Sequence, residues 1–453
     1  MEPKRKWTLP VIDMNSEGVG ICKQDGMVVF VPDTVTGDVV CVQITDQQKN
    51  YAMGQCLEVV TPSQSRIEPD CPCYHACGGC TLRHVSREME LSVKENTVRQ
   101  ALRRMHLTIA EGDVRPILST DEYGYRNKAV FHAVFSQGGK NGAIGYYAKE
   151  SHTIMPGSIR CHLLPSLFGD IADYTAKWML GKPVAPLSLY LRQNQMGQTT
   201  VALQTAEDWQ TVNQEVLFDY AKELTASFPQ VTGVLHSDSP KGKYAVPTYT
   251  VLCGERYLWE EYGVLRMRIS PEGFCQVNKA GAMLLAGTVL SFAGTVTEET
   301  AKAADLYCGS GFFGLQLAKA FPKWQLFGIE INPDSIRDAQ VNRDENGLTN
   351  IQFQTGDAAI AQEGYDVVVI DPPRAGCSDK MRRQLLHLAP KKIVYVSCNP
   401  QTLARDLAAL VQGGYRIEAV QPVDMFPRTG HVETVCLLSK LQNGQHMDTE
   451  RLV

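Results

Sequence analysis

Short runs of alternating apolar and polar residues fill the first 60 residues, a pattern typical of β-strands. Turn residues such as Asp25-Gly26 and Gly37-Asp38 separate some of these runs. Short strands at this spacing predict a small closed β-barrel over residues 1–60, of the oligonucleotide-binding type. The pattern leaves open whether this barrel binds a ligand or is an accessory domain. The predicted strands are Trp7–Ile12, Gly20–Cys22, Met27–Val31, Val39–Thr45 and Ala52–Val60.

A polar, proline-containing linker, Thr61–Pro69, opens a second unit that we assign to residues 61–272. Apolar residues recur at helical spacing from about residue 84 to residue 106, which predicts a long helix that could pack on the following domain. The rest of this unit mixes strand and helix patterns and predicts an α+β domain. Its predicted helix is Val212–Ser227, and its predicted strands include Ala129–Phe135, Ala143–Tyr147, Leu187–Gln193, Thr199–Gln204, Gly233–Ser237 and Leu265–Ile269.

From residue 273 to residue 445, helical patterns alternate with short apolar strands. This alternation predicts an α/β domain with a doubly wound, Rossmann-like sheet. Residues 446–453 are assigned to a tail. The predicted strands are Ala303–Tyr307, Gln325–Glu330, Ile351–Gln354, Val367–Ile370, Ile393–Val396, Tyr415–Val420 and Val432–Leu438.

The composition is that of an ordinary globular protein, with 453 residues, 44% hydrophobic and 21% charged. The formal net charge of −5 argues against a broad basic surface for nucleic acid, although a local basic site is compatible with it. No apolar run reaches the length of a membrane span, and no apolar segment follows the charged start. We therefore expect a cytoplasmic protein without a signal peptide, and a monomer.

Four cysteines fall within the ten residues from Cys71 to Cys80. Thiolates are soft ligands that suit zinc or an iron–sulfur cluster. The spacing of Cys71, Cys77 and Cys80 fits a cluster better than the paired knuckles of zinc ribbons. Three of these four cysteines and a distant ligand would complete a site, and Cys161 is the best distant candidate.

A Gly-x-Gly-x-x-Gly motif, from Gly309 to Gly314, lies between a predicted strand and a predicted helix. Such glycines let the backbone approach a nucleoside cofactor, and an acid at the end of the next strand binds its ribose. Glu330 lies at that position, and Asp357 is placed to meet an adenine amino group. A structural tight turn is the alternative. With both acids, the motif indicates an adenosine-type cofactor in an oxidoreductase or in a methyltransferase that uses S-adenosyl-L-methionine (SAM).

The motif Asp371-Pro372-Pro373-Arg374 separates these two enzyme classes. Consecutive prolines fix the backbone and remove two N–H donors, so the loop is rigid. A proline turn that only capped the strand would need neither the acid nor the arginine. The motif favours a methyltransferase in which this loop holds a flat base against the cofactor's methyl group. Arg374 and the segment Arg126–Lys128 are candidates for phosphate contacts.

Cys398 lies where a predicted buried strand ends abruptly in Ser397-Cys398-Asn399-Pro400. A lone cysteine is more often a small core residue than a nucleophile. In open α/β sheets, however, the chemistry lies at the carboxyl ends of the strands. Cys398 follows the cofactor motifs and precedes a strand that carries Glu433, and this context favours a nucleophile.

Several of these motifs resemble those of the RNA 5-methyluridine (uracil-C5) methyltransferases, and the resemblance covers almost the whole chain. The barrel resembles the TRAM domain of that family, and the cysteines resemble the cluster cysteines of its 23S ribosomal RNA branch. The matching segments are Asp305-Leu-Tyr-Cys-Gly-Ser-Gly, Asp371-Pro-Pro-Arg-Ala-Gly, Ser397-Cys398-Asn-Pro and His431-Val-Glu433-Thr-Val, together with Cys71, Cys77, Cys80 and Cys161.

The resemblance implies a role for each matching residue. Cys398 would be the nucleophile and Glu433 the general base, and the four matching cysteines would hold a 4Fe-4S cluster. The favoured partner would be 23S rRNA, which would gain 5-methyluridine. A tRNA uracil-C5 methyltransferase and a non-catalytic RNA-binding iron–sulfur protein are the alternatives. The implied SAM contacts are Gln276, Tyr307, Glu330 and Asp371.

Overall fold

The computed structural model describes residues 6–107, 110, 112–135, 141–239, 247–296 and 298–441. Within these ranges the strands form sheets of six, seven, two and eight strands. The same ranges contain no helix that is both long and apolar enough to cross a membrane. The predicted tail, residues 446–453, lies outside the described residues.

The N-terminal domain is one sheet whose fully buried residues include Val29, Val31, Val40 and Val42. Alternate residues of each strand enter this core, as expected for strands with one buried face. A two-residue turn, Asp25-Gly26, joins its third and fourth strands with φ values of 49° and 81°. Positive φ angles are typical of a tight hairpin turn, and glycine adopts them without strain, which explains why Gly26 occupies this turn. The strands are β1 (Lys6–Pro10), β2 (Asp13–Met14), β3 (Val19–Gln24), β4 (Met27–Pro32), β5 (Val39–Gln47) and β6 (Tyr51–Thr61), in the order β1-β5-β6-β4-β3-β2.

Two helices follow, α1 (Tyr74–Cys77) and α2 (Arg87–Arg104). The Ser86 hydroxyl caps α2 by accepting a hydrogen bond from the N–H of Met89. The C-terminal half of α2 is buried against the third domain through Val98, Ala101 and Leu102. The long predicted helix is therefore present, and it packs on the sheet that carries Cys398.

The central domain packs two helices on one face of a mostly antiparallel sheet. Phe131, Leu189 and Val201 on the strands meet Phe168 and Leu217 on the helices. The strands are β8 (Lys128–Phe135), β9 (Gly142–Tyr147), β10 (Ile154–Met155), β11 (Pro186–Gln193), β12 (Thr199–Thr205), β13 (Val231–Asp238) and β14 (Tyr249–Gly254); the helices are α3 (Ser166–Trp178) and α4 (Gln214–Ser227). The short strand β7 (Leu118–Ser119) precedes them in the chain.

The third domain is the predicted α/β sheet, with order β19-β18-β17-β20-β21-β23-β22-β7. Its central strands are continuous apolar runs because helices cover both faces. The elements are β15 (Leu258–Tyr262), β16 (Leu265–Ile269), α5 (Lys279–Ala293), β17 (Lys302–Leu306), α6 (Phe312–Ala320), β18 (Gln325–Glu330), α7 (Pro333–Glu345), β19 (Ile351–Thr355), β20 (Val367–Ile370), α8 (Asp379–Leu388), β21 (Lys392–Ser397), α9 (Pro400–Gln412), β22 (Tyr415–Asp424) and β23 (Glu433–Lys440).

Two segments from before residue 273 pack on this third domain. Strand β7 pairs with the end of β22, and the β15–β16 hairpin contributes Tyr262, Leu265 and Met267 to the core of the α/β sheet. The sequence pattern assigns Leu265–Ile269 to the central unit. The assignment differs from the structure because the sequence of a short strand does not indicate which sheet the strand joins. The α/β domain is therefore built from more of the chain than its periodicity indicates.

A network of buried charges joins α2 to the end of β22. The ammonium of Lys94, which is fully buried, lies 2.7 Å from a carboxylate oxygen of Glu90 and 2.6 Å from one of Asp424. Arg87 pairs with both carboxylates, at 2.9 and 2.5 Å. The backbone N–H of Arg428 donates to Glu90 at 2.6 Å. Buried charges are tolerated only when they are paired, so this network fixes the helix on the sheet.

We predict that Lys94→Ala lowers the free energy of unfolding by about 3–5 kcal/mol, because two buried carboxylates lose their shared cation. Urea denaturation followed by circular dichroism measures this change. The matched control is Arg103→Ala on the exposed face of the same helix, which should cost less than about 0.5 kcal/mol. Equal losses in the two variants would contradict a special role for the network.

Candidate active site

The sheet brings Cys398 and Glu433 together at one edge. Strand β21 ends at Ser397, which pairs with Thr434 of the antiparallel β23. One further step of this register places Cys398 opposite Glu433. The side chain of Asn399 caps α9 by accepting from the N–H of Gln401, and Pro400 occupies its first turn. The abrupt change from strand to helix leaves Cys398 partly exposed at the strand end.

Two carboxyl groups, those of Glu433 and Asp371, act electrostatically on this thiol. Burial raises the pKa of Glu433 to about 8, and the negative charge of Asp371 adds to the effect. Burial likewise raises the pKa of Asp371 to about 7. Burial also raises the pKa of Cys398 to about 11; Glu433 and Asp371 add to this, and Arg374 opposes it. At neutral pH the protein therefore holds Cys398 as a thiol and Glu433 mainly as a neutral acid.

A cavity of about 620 Å³ opens beside Cys398 and is lined by residues from all three domains. The N-terminal domain approaches so closely that a Cβ on Gly430 would lie 1.8 Å from the carbonyl oxygen of Ser16. Only glycine fits at this contact. The lining residues are Ser16–Val19, Pro32 and Asp33 from the N-terminal domain, Tyr74, His75, Gly78–Thr81, Thr97 and Lys149 from the middle of the chain, and Arg374, Cys398–Gln401 and Thr429–Val432 from the third domain.

The glycine motif forms a smaller cavity of about 60 Å³ on the same domain. Tyr307 and Gly311 have φ values of 63° and 88°, so the chain turns sharply between β17 and α6. The buried carboxylate of Asp305 accepts from the N–H of Gly314 at 2.7 Å and ties the loop to the strand. The lining residues are Tyr262, Met267, Arg268, Ile269, Phe274, Cys275, Gln276, Tyr307, Cys308, Gly309, Ser310, Phe312, Phe313 and Asp371.

Gln276, Tyr307 and Asp371 thus lie in one cavity, whereas Glu330 and Asp357 lie outside its lining. Glu330 remains attached to the glycine loop, since its carboxylate accepts from the N–H of Gly309 at 3.2 Å. Asp357 is exposed and pairs with Lys380 at 2.8 Å, an interaction that lowers the pKa of its carboxyl group. Of the predicted cofactor residues, Asp357 is therefore the one that already has a charged partner.

The residues predicted to contact phosphate lie in different surroundings. Arg374 is exposed in the wall of the large cavity. Arg126 is partly buried, and its guanidinium lies 6.0 Å from the ring centre of Phe426. Asn127 holds the cofactor loop, because its side-chain amide donates to the carbonyl of Gln276 at 3.1 Å. The segment from Arg126 therefore also supports the loop that carries Gln276.

The cysteine segment folds around a third cavity, of about 30 Å³. Cys71, Cys73, Cys77, Cys80 and Cys161 all line it. Within the described ranges, no group of three or more His, Cys, Asp or Glu side chains converges closely enough to bind a single metal ion. The thiols that line this cavity are soft ligands, of the kind that zinc or an iron–sulfur cluster takes.

Sequence reasoning missed two groups at these sites. One is the Asp305 carboxyl, whose pKa burial raises to about 7; its position at the end of a strand before a glycine loop was a usable signal. The other is the cavity wall formed by residues 16–19 and by Lys149. No local pattern indicates that these residues face Cys398, because their contacts join segments that are distant in sequence.

We predict that Glu433→Gln stabilises the protein increasingly as the pH rises from about 4.5 to about 8. The folded state keeps a proton on Glu433 in this range, whereas the unfolded chain releases it near the ordinary pKa of 4.5, so wild-type stability falls with pH. The amide is neutral throughout and avoids this loss. Melting temperatures of both proteins between pH 5 and pH 9 test the prediction, with Glu207→Gln as an exposed control. A constant difference between Glu433→Gln and wild type would contradict it.

Comparison with known proteins agrees with this architecture. A model of the TRAM domain matches residues 8–57, and a model described as a methyltransferase domain matches residues 298–421. The chain is 23% identical to the Pyrococcus abyssi tRNA (uracil-54, C5)-methyltransferase, solved in complex with S-adenosyl-L-homocysteine. The two structures superpose with a TM-score of 0.73 over 96% of this chain and 100% of that chain.

Curated relatives match over nearly their whole length. An uncharacterized RNA methyltransferase of Oceanobacillus iheyensis is 34% identical, with 96% of this chain and 97% of the relative covered. An uncharacterized RNA methyltransferase of Listeria innocua is 33% identical, with 95% and 97% covered. The predicted TRAM domain and SAM-dependent methyltransferase fold are thereby confirmed. This chain belongs to the family of RNA methyltransferases that carry an N-terminal TRAM domain.

Proposed function

We propose that this enzyme methylates uracil at C5 in RNA and forms 5-methyluridine. The observation that supports the proposal is the pairing of β21 with β23: the register ends at Ser397 and Thr434, each one residue from Cys398 or Glu433, and the charge of Glu433 acts on the Cys398 thiol. A uracil ring between them would have a nucleophile near C6 and a base near C5. The target base would leave its stack to reach them, and the 620 Å³ cavity has room for it.

The chemistry of uracil requires these two groups. C5 is a poor nucleophile until Cys398, after its thiol has lost the proton to solvent, adds through Sγ to C6. The π electrons of the C5–C6 double bond then move towards O4, and C5 becomes enolate-like. SAM supplies the methyl group when it is bound. Glu433 then takes the proton from C5, the C5–C6 double bond re-forms, and the Cys398 thiolate leaves C6.

Four residues would hold SAM in the cavity beside the glycine motif. Gln276, Tyr307 and Asp371 line this cavity, and Glu330 anchors the loop that forms it. A cation near Asp371 favours ionised carboxyl groups, so a bound sulfonium would lower the pKa of Asp371 and of its neighbour Glu433. Glu433 would then become a competent base in the complex. Asp357 would reach an adenine group only by leaving Lys380.

The proposed target is 23S ribosomal RNA. The cysteine segment supports it, because these cysteines resemble those of the ribosomal branch of the family. Transfer RNA is the second candidate, favoured by the similarity in fold to a tRNA uracil-54 methyltransferase. A non-catalytic RNA-binding protein would not need both Cys398 and Glu433 at one strand end.

We further propose that Cys71, Cys77, Cys80 and Cys161 hold a 4Fe-4S cluster. All four line one cavity, and the guanidinium of the buried Arg83 donates to the Cys80 sulfur at 3.9 Å. Loss of these ligands would also affect the RNA cavity, because Tyr74 and Cys80 line both cavities.

For activity, we predict that RNA labelled with tritium at uridine C5 releases tritium with SAM and wild-type enzyme. Cys398→Ala should lower release more than about 1,000-fold, since no other nucleophile replaces the thiol, while SAM binding by calorimetry is retained. Glu433→Gln should accumulate a covalent protein–RNA adduct on a denaturing gel. Cys41→Ala, in the N-terminal domain, is the matched control. Full activity of Cys398→Ala would remove this residue from the mechanism.

For the cluster, we predict that protein purified without oxygen is brown and contains about four iron atoms per chain. Cys161→Ser should lose most of the iron, because the buried cavity loses a ligand. Cys73→Ser should keep it and serves as the control from the same cavity. Iron analysis and visible absorption measure both, and a colourless protein with stoichiometric zinc would refute the cluster.

A further inference from the structure

Lys149 is an exposed cation in the wall of the large cavity, outside every motif discussed above. It lies in the turn between β9 and β10 of the central domain. The same cavity exposes Arg374 and Cys398 on the third domain. Two cations from different domains therefore face the space that a target nucleotide would enter.

The position of Lys149 is fixed by the cysteine segment. Its backbone N–H donates to the carbonyl of Ala76 at 2.7 Å. Its side-chain stem lies so close to Gly78 that a Cβ on this glycine would be 3.1 Å from Lys149 Cγ. Gly78 also has a φ of 68°, which favours glycine. Because the stem is already held, less conformational entropy is lost when the ammonium binds a ligand.

The charges of the cavity are divided between its walls. In the part of the chain that is described, no carboxylate forms an ion pair with Lys149 or Arg374. Two other cations of the third domain do have such partners: Lys380 pairs with Asp357, and Arg382 pairs with Asp406. The wall from the N-terminal domain carries carboxylates instead, at Glu17 and Asp33. An anionic strand is thus attracted to one side and repelled from the other.

We propose that Lys149 and Arg374 each bind a phosphate group of the substrate RNA. The RNA backbone then runs along the side formed by the central and third domains, away from Glu17 and Asp33, and the target base turns towards Cys398. This inference rests on the proposed function, in which RNA enters this cavity. It assigns a direct RNA contact to a residue whose position depends on the cysteine segment.

Salt-dependent RNA binding tests this assignment. The probe is an unmodified 23S rRNA transcript, whose affinity is measured by filter binding over a range of KCl concentrations. Lys149→Gln should weaken binding several-fold and reduce the slope of log affinity against log salt by about 0.7, the value for one phosphate contact on a single strand. Lys149→Gln with Arg374→Gln should reduce it by about 1.4. SAM affinity should stay unchanged, because Lys149 does not line the cofactor cavity.

Three controls separate charge from packing. Lys149→Arg keeps the charge and should keep the wild-type slope. Lys182→Gln removes an exposed lysine of the same domain that does not line the cavity, and Glu17→Gln removes a negative charge that the N-terminal domain contributes to the cavity lining; neither should reduce the slope. A wild-type slope for Lys149→Gln, or a loss in Lys149→Arg equal to that in Lys149→Gln, would overturn the inference. If the wild-type protein bound neither rRNA nor tRNA transcripts, the proposed function itself would fail.

Discussion

The pairing of Lys94 with Glu90 and Asp424 is the constraint on which the site depends. Asp424 ends β22, and the turn that follows bonds back to Glu90 through the N–H of Arg428. This turn continues to Gly430, which contacts the N-terminal domain, and then to Glu433. A buried ion network between α2 and β22 thus anchors the turn that leads to the wall of the large cavity and to Glu433. Each charge of this network would be costly to bury without its partners, which keeps the paired groups together.

In the free protein, the groups around Cys398 do not favour the ionised forms that the proposed reaction requires. Glu433 is buried, Asp371 close to it is partly buried, and the pKa of each carboxyl group is raised. Both disfavour the Cys398 thiolate in the free protein. In the proposed mechanism, the positive charge of a bound cofactor would favour the ionised forms of these carboxyl groups.

The residues predicted from sequence lie where strands end. Cys398, Asp371 and Tyr307 each follow an apolar run, and parallel strands bring their carboxyl ends to one edge of a sheet. Glu433 begins an antiparallel strand at the same edge, so it joins them. Lys149 and Ser16 could not be predicted in this way, since hairpins of other domains deliver them. Asp357 had a suitable position in the motif, but the structure pairs it with Lys380.

The sequence by itself determined the α/β fold, the order of the domains and the cluster of cysteines, because hydrophobic periodicity and residue spacing are local properties of the chain. Tertiary structure alone decided that β7 and the β15–β16 hairpin join the α/β domain and that all domains share one cavity. Those outcomes depend on contacts between distant segments, such as Lys94 with Asp424 and Ser16 with Gly430, which leave no periodic trace in the sequence. Cys398 illustrates the difference. The local sequence predicts its place at the end of a strand, whereas the packing of distant segments decides which residues lie around it.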